Sequence, residues 1–539
     1  QAHDSLRVRQ VDFDTWHDFI LPRLNPAKMI DELTGQPFGA GALKAALKDV
    51  YEGIGTSGWD GIKPGAMGGA KLANRRADSR FLHFKDAAGW REYQARFGQG
   101  DSFEAMKGHI DGMARDIAQM EILGPAPGQT VQWLTDLLEQ HAHVSKAKGG
   151  AFDTLATRAS VAAWQIRQMH AIFSGEVNRP VNGQLARGFS TFRLLQTAAK
   201  LGGAVVSAVS DLGFQEVTAR FNGLEYRHII GNVLKLLNPL DDSDRKFAIS
   251  SGLIAEEAAA RMGSLSRYDD MVNTPQVARR MANGVLRLSG LSAWTQAGKW
   301  AFGMEFMHAL GQSVEAADWA AVDAAQRAAL ERYGIGADDW NTLRSARRYE
   351  HKGASYLRPE EVGEKNPALA TKLLAMITTE ARFAVPEASL RARAVMTGGL
   401  QAGTVTGELF RSTMQFKAFS VSMLLTHGAR AVAQKGALSK AGYVANVAIA
   451  TTAFGALALQ MKQILAGKDP RDMDDKRFWA SSMVQGGGLG LMGDFLYADT
   501  NRFGGNIYQT LAGPGVSTAV EALQLGKEAI GAAPGNAGK

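Results

Sequence analysis

The sequence predicts an all-α protein, built as elongated multi-helix bundles with glycine-rich loops and little or no β structure. Apolar residues recur three and four positions apart in long segments, and no run of alternating β-branched residues interrupts them. Proline and small polar residues precede several of these segments and glycine follows them, as at helix starts and stops. With 45% hydrophobic and 21% charged residues, the composition is that of an ordered, water-soluble chain.

Three helices are predicted from their end signals. Asn25 and Pro26 resemble an N-cap followed by proline at the first helical position, and "PAKMIDEL" then ends at Gly35. The same pattern predicts a helix from Pro275 to Gly290 and another from Pro386 to Gly398.

Apolar periodicity predicts further helices in the middle of the chain. Segments 153–175, 183–200 and 225–237 are separated by short Gly, Asn or Pro breaks, which suggests consecutive antiparallel helices. Segment 241–263 opens with acidic residues, which favour a helix N-terminus, and is predicted as one helix.

A chain of 539 residues exceeds what one hydrophobic core usually supports, so we expect two to four packed units. The predicted division has an N-terminal region of helices and loops (1–128), a helical bundle (129–350) and a C-terminal helical region (351–539). Composition changes near residue 350, where uncharged stretches become frequent.

The C-terminal region contains an uncharged run, "AGYVANVAIATTAFGALALQM" (441–461). As a helix it would extend about 31 Å, which matches the hydrocarbon layer of a bilayer, about 30 Å thick. Its many Ala, Gly and Thr residues equally suit the buried helix of a soluble bundle. Segments 478–493 and 503–520 are also uncharged but too short for a secure span, so interfacial or hairpin insertion is the expectation there. Small residues predicted to allow close helix packing are Gly442, Ala448, Thr452, Gly455 and Ala456.

Two basic clusters are candidates for facing DNA phosphates, in a chain of net charge +7. They are Arg279, Arg280 and Arg287, on one predicted helix, and Arg344, Arg347, Arg348 and Lys352. The alternative is that these cations complement helix C-termini and cover the surface.

Motifs for catalysis, metals and cofactors are missing from the sequence. No phosphate-binding loop, HExxH or GxSxG motif occurs, and the absence of cysteine excludes disulfides and thiol catalysis. His141 and His143 are two residues apart, a spacing that separates them on a helix. Trp90, Tyr93 and Phe97 have the spacing of a core-facing stripe. We therefore expect no enzyme activity, metal or cofactor in these residues, although a catalytic domain could lie outside them.

Four segments resemble parts of the internal virion proteins, or ejection proteins, of short-tailed and other tailed bacteriophages and their prophage relatives. They are "FLHFKDAAGWREYQARFG" (81–98), "GHIDGMARDIAQMEILGPAPG" (108–128), "GTVTGELFRSTMQFKAFS" (403–420) and "GDFLYADTNRFGGN" (493–506). The resemblance implies a protein stored in the capsid near the portal, expelled ahead of the genome and refolded into a channel across the host envelope.

The expected function is that of a homo-oligomeric ejection protein, located in the virion interior and, after ejection, in the host periplasm and inner membrane. The expected partners are other virion proteins, including the portal and other ejection proteins, and double-stranded DNA bound without sequence preference. The principal alternative is a purely structural virion core or portal-associated protein with no membrane role. A cytoplasmic DNA-binding protein is a further alternative, as is an enzyme or toxin whose active domain lies elsewhere.

Overall fold

The computed structural model describes residues 5–31, 34–55, 81–98, 102–148, 154–174, 176–178, 180–201, 206, 208–238, 243–253, 290–316, 318–386, 389–415 and 418–486. Over these residues the fold is all-α, as predicted, and its strands form one short hairpin. The chain divides between Val181 and Asn182 into two compact units. This division lies at a different point from the predicted boundaries at residues 128 and 350.

The first unit consists of helices and their connections over its described residues. Its α-helices are α1 (Ser5–Arg9), α2 (Phe13–Ile20), α3 (Ala40–Gly55), α4 (Ala87–Phe97), α5 (Ser102–Leu123), α6 (Pro127–Lys148) and α7 (Thr154–Phe173). Short 3₁₀ turns occur at Leu21–Arg23, Pro26–Lys28 and Glu176–Asn178.

Helices α1 to α4 of this unit enclose an aromatic core. Tyr93 and Phe97 on α4 are buried there, as their spacing predicted, whereas Trp90 is partly exposed. The Trp16 indole Nε1–H donates a hydrogen bond to the Tyr93 hydroxyl oxygen at 3.2 Å. The polar atoms of both buried side chains therefore have a hydrogen-bond partner. Burial raises the pKa of Tyr93 to about 12.

The helix predicted after Asn25 is wrong. Only the 3₁₀ turn Pro26–Lys28 forms, and Met29 is extended. The Asp31 amide donates to the Gln36 carbonyl at 2.9 Å, and the Phe38 amide donates to the Met29 carbonyl at 3.2 Å. This reverse turn buries Met29 in the aromatic core, so tertiary packing overrides the local helix signal.

The second unit contains the remaining described elements. Its α-helices are α8 (Gly183–Leu201), α9 (Asp211–Phe221), α10 (Tyr226–Leu237), α11 (Ser243–Ser250), α12 (Leu291–Ala316), α13 (Ala324–Arg332), α14 (Ala337–Ser345), α15 (Pro359–Gly363), α16 (Pro367–Ala384), α17 (Leu390–Thr397), α18 (Val405–Met414), α19 (Ala418–Met423), α20 (Ala429–Ala433), α21 (Ala437–Leu465) and α22 (Lys476–Gln485). A 3₁₀ turn lies at Trp319–Ala321 and a π-helical turn at Leu424–Gly428.

The periodic segments predicted at 153–175, 183–200 and 225–237 are confirmed as helices α7, α8 and α10. Helix α9 is not among the predicted helices. Its polar residues Gln215 and Thr218 are buried together with its apolar ones, which removes the alternation of polar and apolar faces on which such a prediction depends.

Two other helix predictions are wrong at one end. Segment 241–263 is not a single helix, because α11 ends at Ser250 and a turn follows in which Gly252 has φ of +79°. Helix α17 begins at Leu390, after the N-cap Ser389, and ends as predicted at Gly398, which is left-handed. The helix predicted from Pro275 to Gly290 lies outside the described residues.

The core of the second unit surrounds α12. Phe302, Phe306 and Leu310 are fully buried there against residues of α10, α13, α14 and α16. The hairpin of β1 (Tyr349–His351) and β2 (Ala354–Tyr356) pairs His351 with Ala354 across a two-residue turn. That turn places Lys352 at φ +49° and Gly353 at φ +78°, as a type I′ turn requires.

Helix α21 packs closely against α9 and α22 because glycines, which lack side chains, lie at the contacts. They are Gly213, Gly455 and Gly486. A Cβ built on Gly213 of α9 would lie 2.9 Å from the Thr451 Cα and 3.0 Å from the Ala450 carbonyl oxygen. A Cβ on Gly455 would collide with the Ser482 carbonyl and lie 2.7 Å from the Gly486 amide nitrogen. The backbone of α21 is therefore held between two other helix backbones.

This geometry predicts opposite effects for two glycines of the same helix. Gly455→Ala should destabilise the fold by about 1–3 kcal/mol, because the new methyl group meets backbone atoms that cannot move freely. Gly442→Ala is the matched control, since its Cβ would meet nothing within 4 Å and alanine favours the helix by about 1 kcal/mol. Urea unfolding measures both, and equal stabilities of the two variants would contradict the packing described.

Candidate functional site

Helix α21 contains the uncharged run predicted from the sequence. It has 29 residues, so it is about 43 Å long. Lys440 and Lys462 flank the run 441–461, and no charged residue lies between them. Among the described helices, only α21 is long and apolar enough to cross a membrane, a property that core helices of soluble proteins also have.

One face of α21 belongs to the core of the second unit. Tyr443, Val447 and Ala450 pack with Phe214 and Val217 of α9. Further along the helix, Ala456 and Leu459 pack with Phe478 of α22. This half of the helix is an ordinary buried face.

The opposite face of α21 is exposed and uncharged. Val444, Ile449 and Leu457 are 54%, 68% and 45% exposed. The other exposed residues of the run are small or neutral, namely Ala441, Gly442, Ala445, Asn446 and Ala453. Exposed helix faces normally carry charged residues, so this face has the composition of a surface that contacts lipid or another apolar surface.

The five small residues predicted for helix packing have different environments. Gly455 and Ala456 are buried and contact α22 of the same chain. Ala448 and Thr452 are partly buried, and Gly442 is exposed with open space beside it. Close approach through small residues therefore occurs within the chain, and its use between subunits stays a prediction.

A buried histidine contacts the start of this helix. His427 lies in the π-helical turn, where the Tyr443 hydroxyl donates to its Nδ1 at 2.8 Å and its Nε2–H donates to the Phe383 carbonyl at 2.9 Å. The bond to the Phe383 carbonyl requires a proton on Nε2, and in the neutral imidazole Nδ1 then accepts from Tyr443. Burial lowers the pKa of His427 to about 3, and the nearby Arg430 charge acts in the same direction, while the bond to Phe383 opposes both.

Next to His427 lies a buried ionic group, here called the Glu380 cluster, that comprises Glu380, Arg430, Arg332, Tyr333 and Asn222. The fully buried Glu380 carboxylate accepts two hydrogen bonds from Arg430 Nη2, at 2.7 and 2.8 Å. It also accepts one from the Tyr333 hydroxyl at 2.9 Å and one from Asn222 Nδ2 at 2.7 Å. Arg332 is 4.0 Å from the same carboxylate and donates to Asn222 Oδ1 at 2.7 Å.

Aromatic rings complete the surroundings of this cluster. The Arg430 guanidinium lies 3.4 Å from the Phe383 ring centroid and 4.5 Å from that of Phe221. Phe221 in turn makes an edge contact with Tyr443 of α21, with centroids 5.5 Å apart. The Glu380 cluster thus connects α13, α16, α20 and the end of α9 to the start of the uncharged run.

No sequence pattern predicted this cluster, since its residues are spread from 222 to 430 and form no local motif. Buried charges are recognisable only once the fold brings them together. Both oxygens of the Glu380 carboxylate accept hydrogen bonds, whereas Arg430 Nη1 is buried and has no hydrogen-bond partner among the described residues. The geometry of the cluster is that of a structural ion pair.

Most of the predicted basic cluster near residue 350 is paired within the chain. Arg344 forms an ion pair with Asp318, and Arg348 Nε lies 3.3 Å from a Glu315 carboxylate oxygen. Lys352 Nζ lies 3.0 Å from Asp244, which also accepts from His351 Nε2 at 2.8 Å. Although burial raises the pKa of Asp244, these two hydrogen bonds lower it below its usual value.

Arg347 is exposed, and within the part of the chain that the structure describes it has no ion-pair partner. The surface available to phosphates in this cluster is therefore smaller than its four basic residues suggested. Arg279, Arg280 and Arg287 lie outside the described residues.

The other candidate segments lie partly or wholly outside the described residues. Segment 478–493 begins within α22, and its residues from 487 onward lie outside the described part, as does all of 503–520. No group of three or more potential metal ligands occurs among the described residues. His141 and His143 are exposed on α6, and the acidic connector 469–476 is also exposed.

Removing the Glu380 carboxylate should cost much of the stability of the second unit. Glu380→Ala leaves Arg430 buried without its counter-charge, and we expect a loss of about 3–5 kcal/mol in the free energy of unfolding. Glu331→Ala, an exposed site on α13, should change it by no more than about 0.5 kcal/mol. Urea unfolding followed by circular dichroism measures both, and a loss below about 1 kcal/mol for Glu380→Ala would contradict this account.

The buried His427 predicts that stability falls with acidification. Its pKa is about 3 in the folded state and about 6.5 when unfolded, so between these values the unfolded chain binds one more proton. The contribution of the neutral His427 to the free energy of unfolding is complete above pH 6.5. Below pH 6.5 it decreases by about 1.4 kcal/mol per pH unit.

The measurement is the difference in unfolding free energy between pH 7 and pH 5. His427→Gln should reduce this difference by about 2 kcal/mol relative to the wild type. His143→Gln, at an exposed histidine, should leave it unchanged. The same pH dependence of stability in all three proteins would contradict a lowered pKa of His427 in the folded state.

No family model, curated protein or solved structure matches this chain. The resemblance of the four sequence segments to phage internal virion proteins stays a prediction.

Proposed function

We propose that this chain is an internal virion protein of a tailed bacteriophage, stored in the capsid and ejected to help form an oligomeric channel for genome translocation across the host envelope. The observation that carries the proposal is the uncharged, exposed face of α21 between residues 441 and 461. A protein that is stored in water and later enters a membrane needs a helix that both environments accept.

The packing of α21 fits such a change of environment. In the folded chain one face is buried against α9 and α22, and the other bears only apolar or neutral side chains. Separation from α9 and α22 would expose a second face that is also uncharged. The helix would then be apolar on all sides over about 31 Å, the thickness of a bilayer core.

The partners in this proposal are further copies of the chain, other virion proteins such as the portal, and packaged double-stranded DNA. The net charge of +7 favours an anionic partner, and Arg347 is available on the described surface. Contact with DNA would be sequence-independent and would weaken with salt.

A second candidate is a structural virion core or portal-associated protein without a membrane role. It is favoured by the buried face of α21, which is packed as tightly as in any soluble core. In this case the exposed face of the helix would contact another protein instead of lipid.

Flotation with vesicles of phosphatidylethanolamine and phosphatidylglycerol distinguishes the two candidates. We expect the wild-type chain to float with the vesicles, after mild denaturation if not before it, and a fragment that spans residues 441–461 to resist added protease. Ala441→Arg combined with Ala453→Asp should abolish protection, because both charges lie on the exposed face and would enter the hydrocarbon layer.

The control is Ala324→Arg combined with Ala328→Asp, which adds the same charges to exposed positions of α13. This variant should float as the wild type does. Failure of the wild-type chain to bind vesicles under every condition would reject the membrane role and favour the structural virion protein.

A further inference from the structure

Helix α5 exposes a continuous apolar stripe. Four apolar residues lie on one side of this 22-residue helix and are exposed, namely Met106 (57%), Ile110 (60%), Met113 (43%) and Ile117 (46%). Met120 continues the stripe and is partly exposed. An apolar stripe of this length on a charged helix is typical of a surface that is covered in an assembly.

The spacing of the stripe fits a second helix as the surface that covers it. Its residues follow one another at intervals of four, three, four and three, which is the seven-residue repeat of a coiled coil with isoleucine at a and methionine at d. The sequence extends the same repeat to Phe103 at a. A repeat of 3.5 residues matches another helix with the same period, because only then do the two seams stay in contact along their length.

We propose that this stripe, the α5 seam, pairs with the α5 seam of a second copy of the chain in antiparallel orientation. About the two-fold axis, Ile110 would pack on Met113 of the partner subunit, and Met106 on Ile117 of the partner subunit. Each layer combines one a and one d residue, so the seam is complementary to itself, as a symmetric two-fold interface requires.

Charges beside the seam favour the antiparallel orientation. In that orientation His109 lies beside Asp116 of the partner subunit, where an imidazole N–H can donate a hydrogen bond to the carboxylate, and the symmetry creates this contact twice. In a parallel pair Asp116 would instead face Glu121 of the partner subunit, and the two like charges would repel.

Charge also argues against lipid as the occupant of the seam. Helix α5 contains four acidic and two basic residues. Amphipathic helices that bind anionic membranes are rich in Lys and Arg on their polar face. The net negative charge of α5 would repel such a membrane, whereas a second copy offers a matching seam.

This pairing does not depend on membrane activity, so it stands or fails separately from the proposed function. Sedimentation equilibrium of the full chain, without vesicles, should show a reversible dimer. Ile110→Asp combined with Ile117→Asp should weaken the dimer at least tenfold, because it places charges in the seam. The control is Ala118→Asp combined with Ile122→Asp, which adds the same charges to exposed positions of α5 outside the seam and should leave the dimer unchanged.

Disulfide cross-linking tests the orientation, because the natural chain contains no cysteine. Met106→Cys and Ile117→Cys are prepared as separate proteins of different tag length, mixed and oxidised. The antiparallel seam predicts the mixed dimer as the main product. A chain that stays monomeric at about 100 μM would overturn the interface. So would a dimer that the seam substitutions and the control substitutions weaken equally. Linkage of each variant mainly to itself would overturn the antiparallel arrangement.

Discussion

The second unit depends on a fully buried carboxylate that is held by an arginine. Glu380 has no exposed surface, and Arg430 is nearly as buried, so each charge is tolerable only because the other is present. Their hydrogen bonds connect residues on helices that are far apart in sequence, among them Asn222 and Tyr333. A pair of this kind contributes little net stability compared with an apolar core, but it fixes which helices meet and in which register.

The uncharged helix α21 begins beside that buried group. Tyr443 contacts both His427 and Phe221, so the start of the run is held by polar and aromatic contacts, whereas its later part is held by close backbone packing at Gly455. The same helix therefore has a specific position in the folded chain and a composition that suits lipid. These two properties are compatible because, within the run 441–461, the contacts that hold α21 are made by apolar and small residues and one tyrosine. The charged contact of the helix, from Lys462 to Gln485 of α22, lies just beyond the run.

Sequence patterns predicted the helices that have two distinct faces and clear end signals, such as α8 and α10. They failed where long-range contacts decide the local structure. Met29 is extended because the aromatic core of the first unit buries it, and α9 is hidden from periodicity because its polar residues are buried as well. The candidate membrane helix was recognisable from its lack of charge, whereas the Glu380 cluster was not, because no local pattern joins its members. The basic residues near position 350 were visible in the sequence, but their acidic partners Asp244, Glu315 and Asp318 became evident only in the fold.

The glycine contacts on both sides of α21 have a kinetic consequence. Because Gly213 and Gly455 bring helix backbones into direct contact, α21 cannot rotate or slide by a small step without colliding with α9 or α22. Any departure of the helix must separate these backbones, and it would break the contacts at Gly213 and Gly455 together. The loss of these contacts would therefore be cooperative, so α21 would stay in place until both are broken.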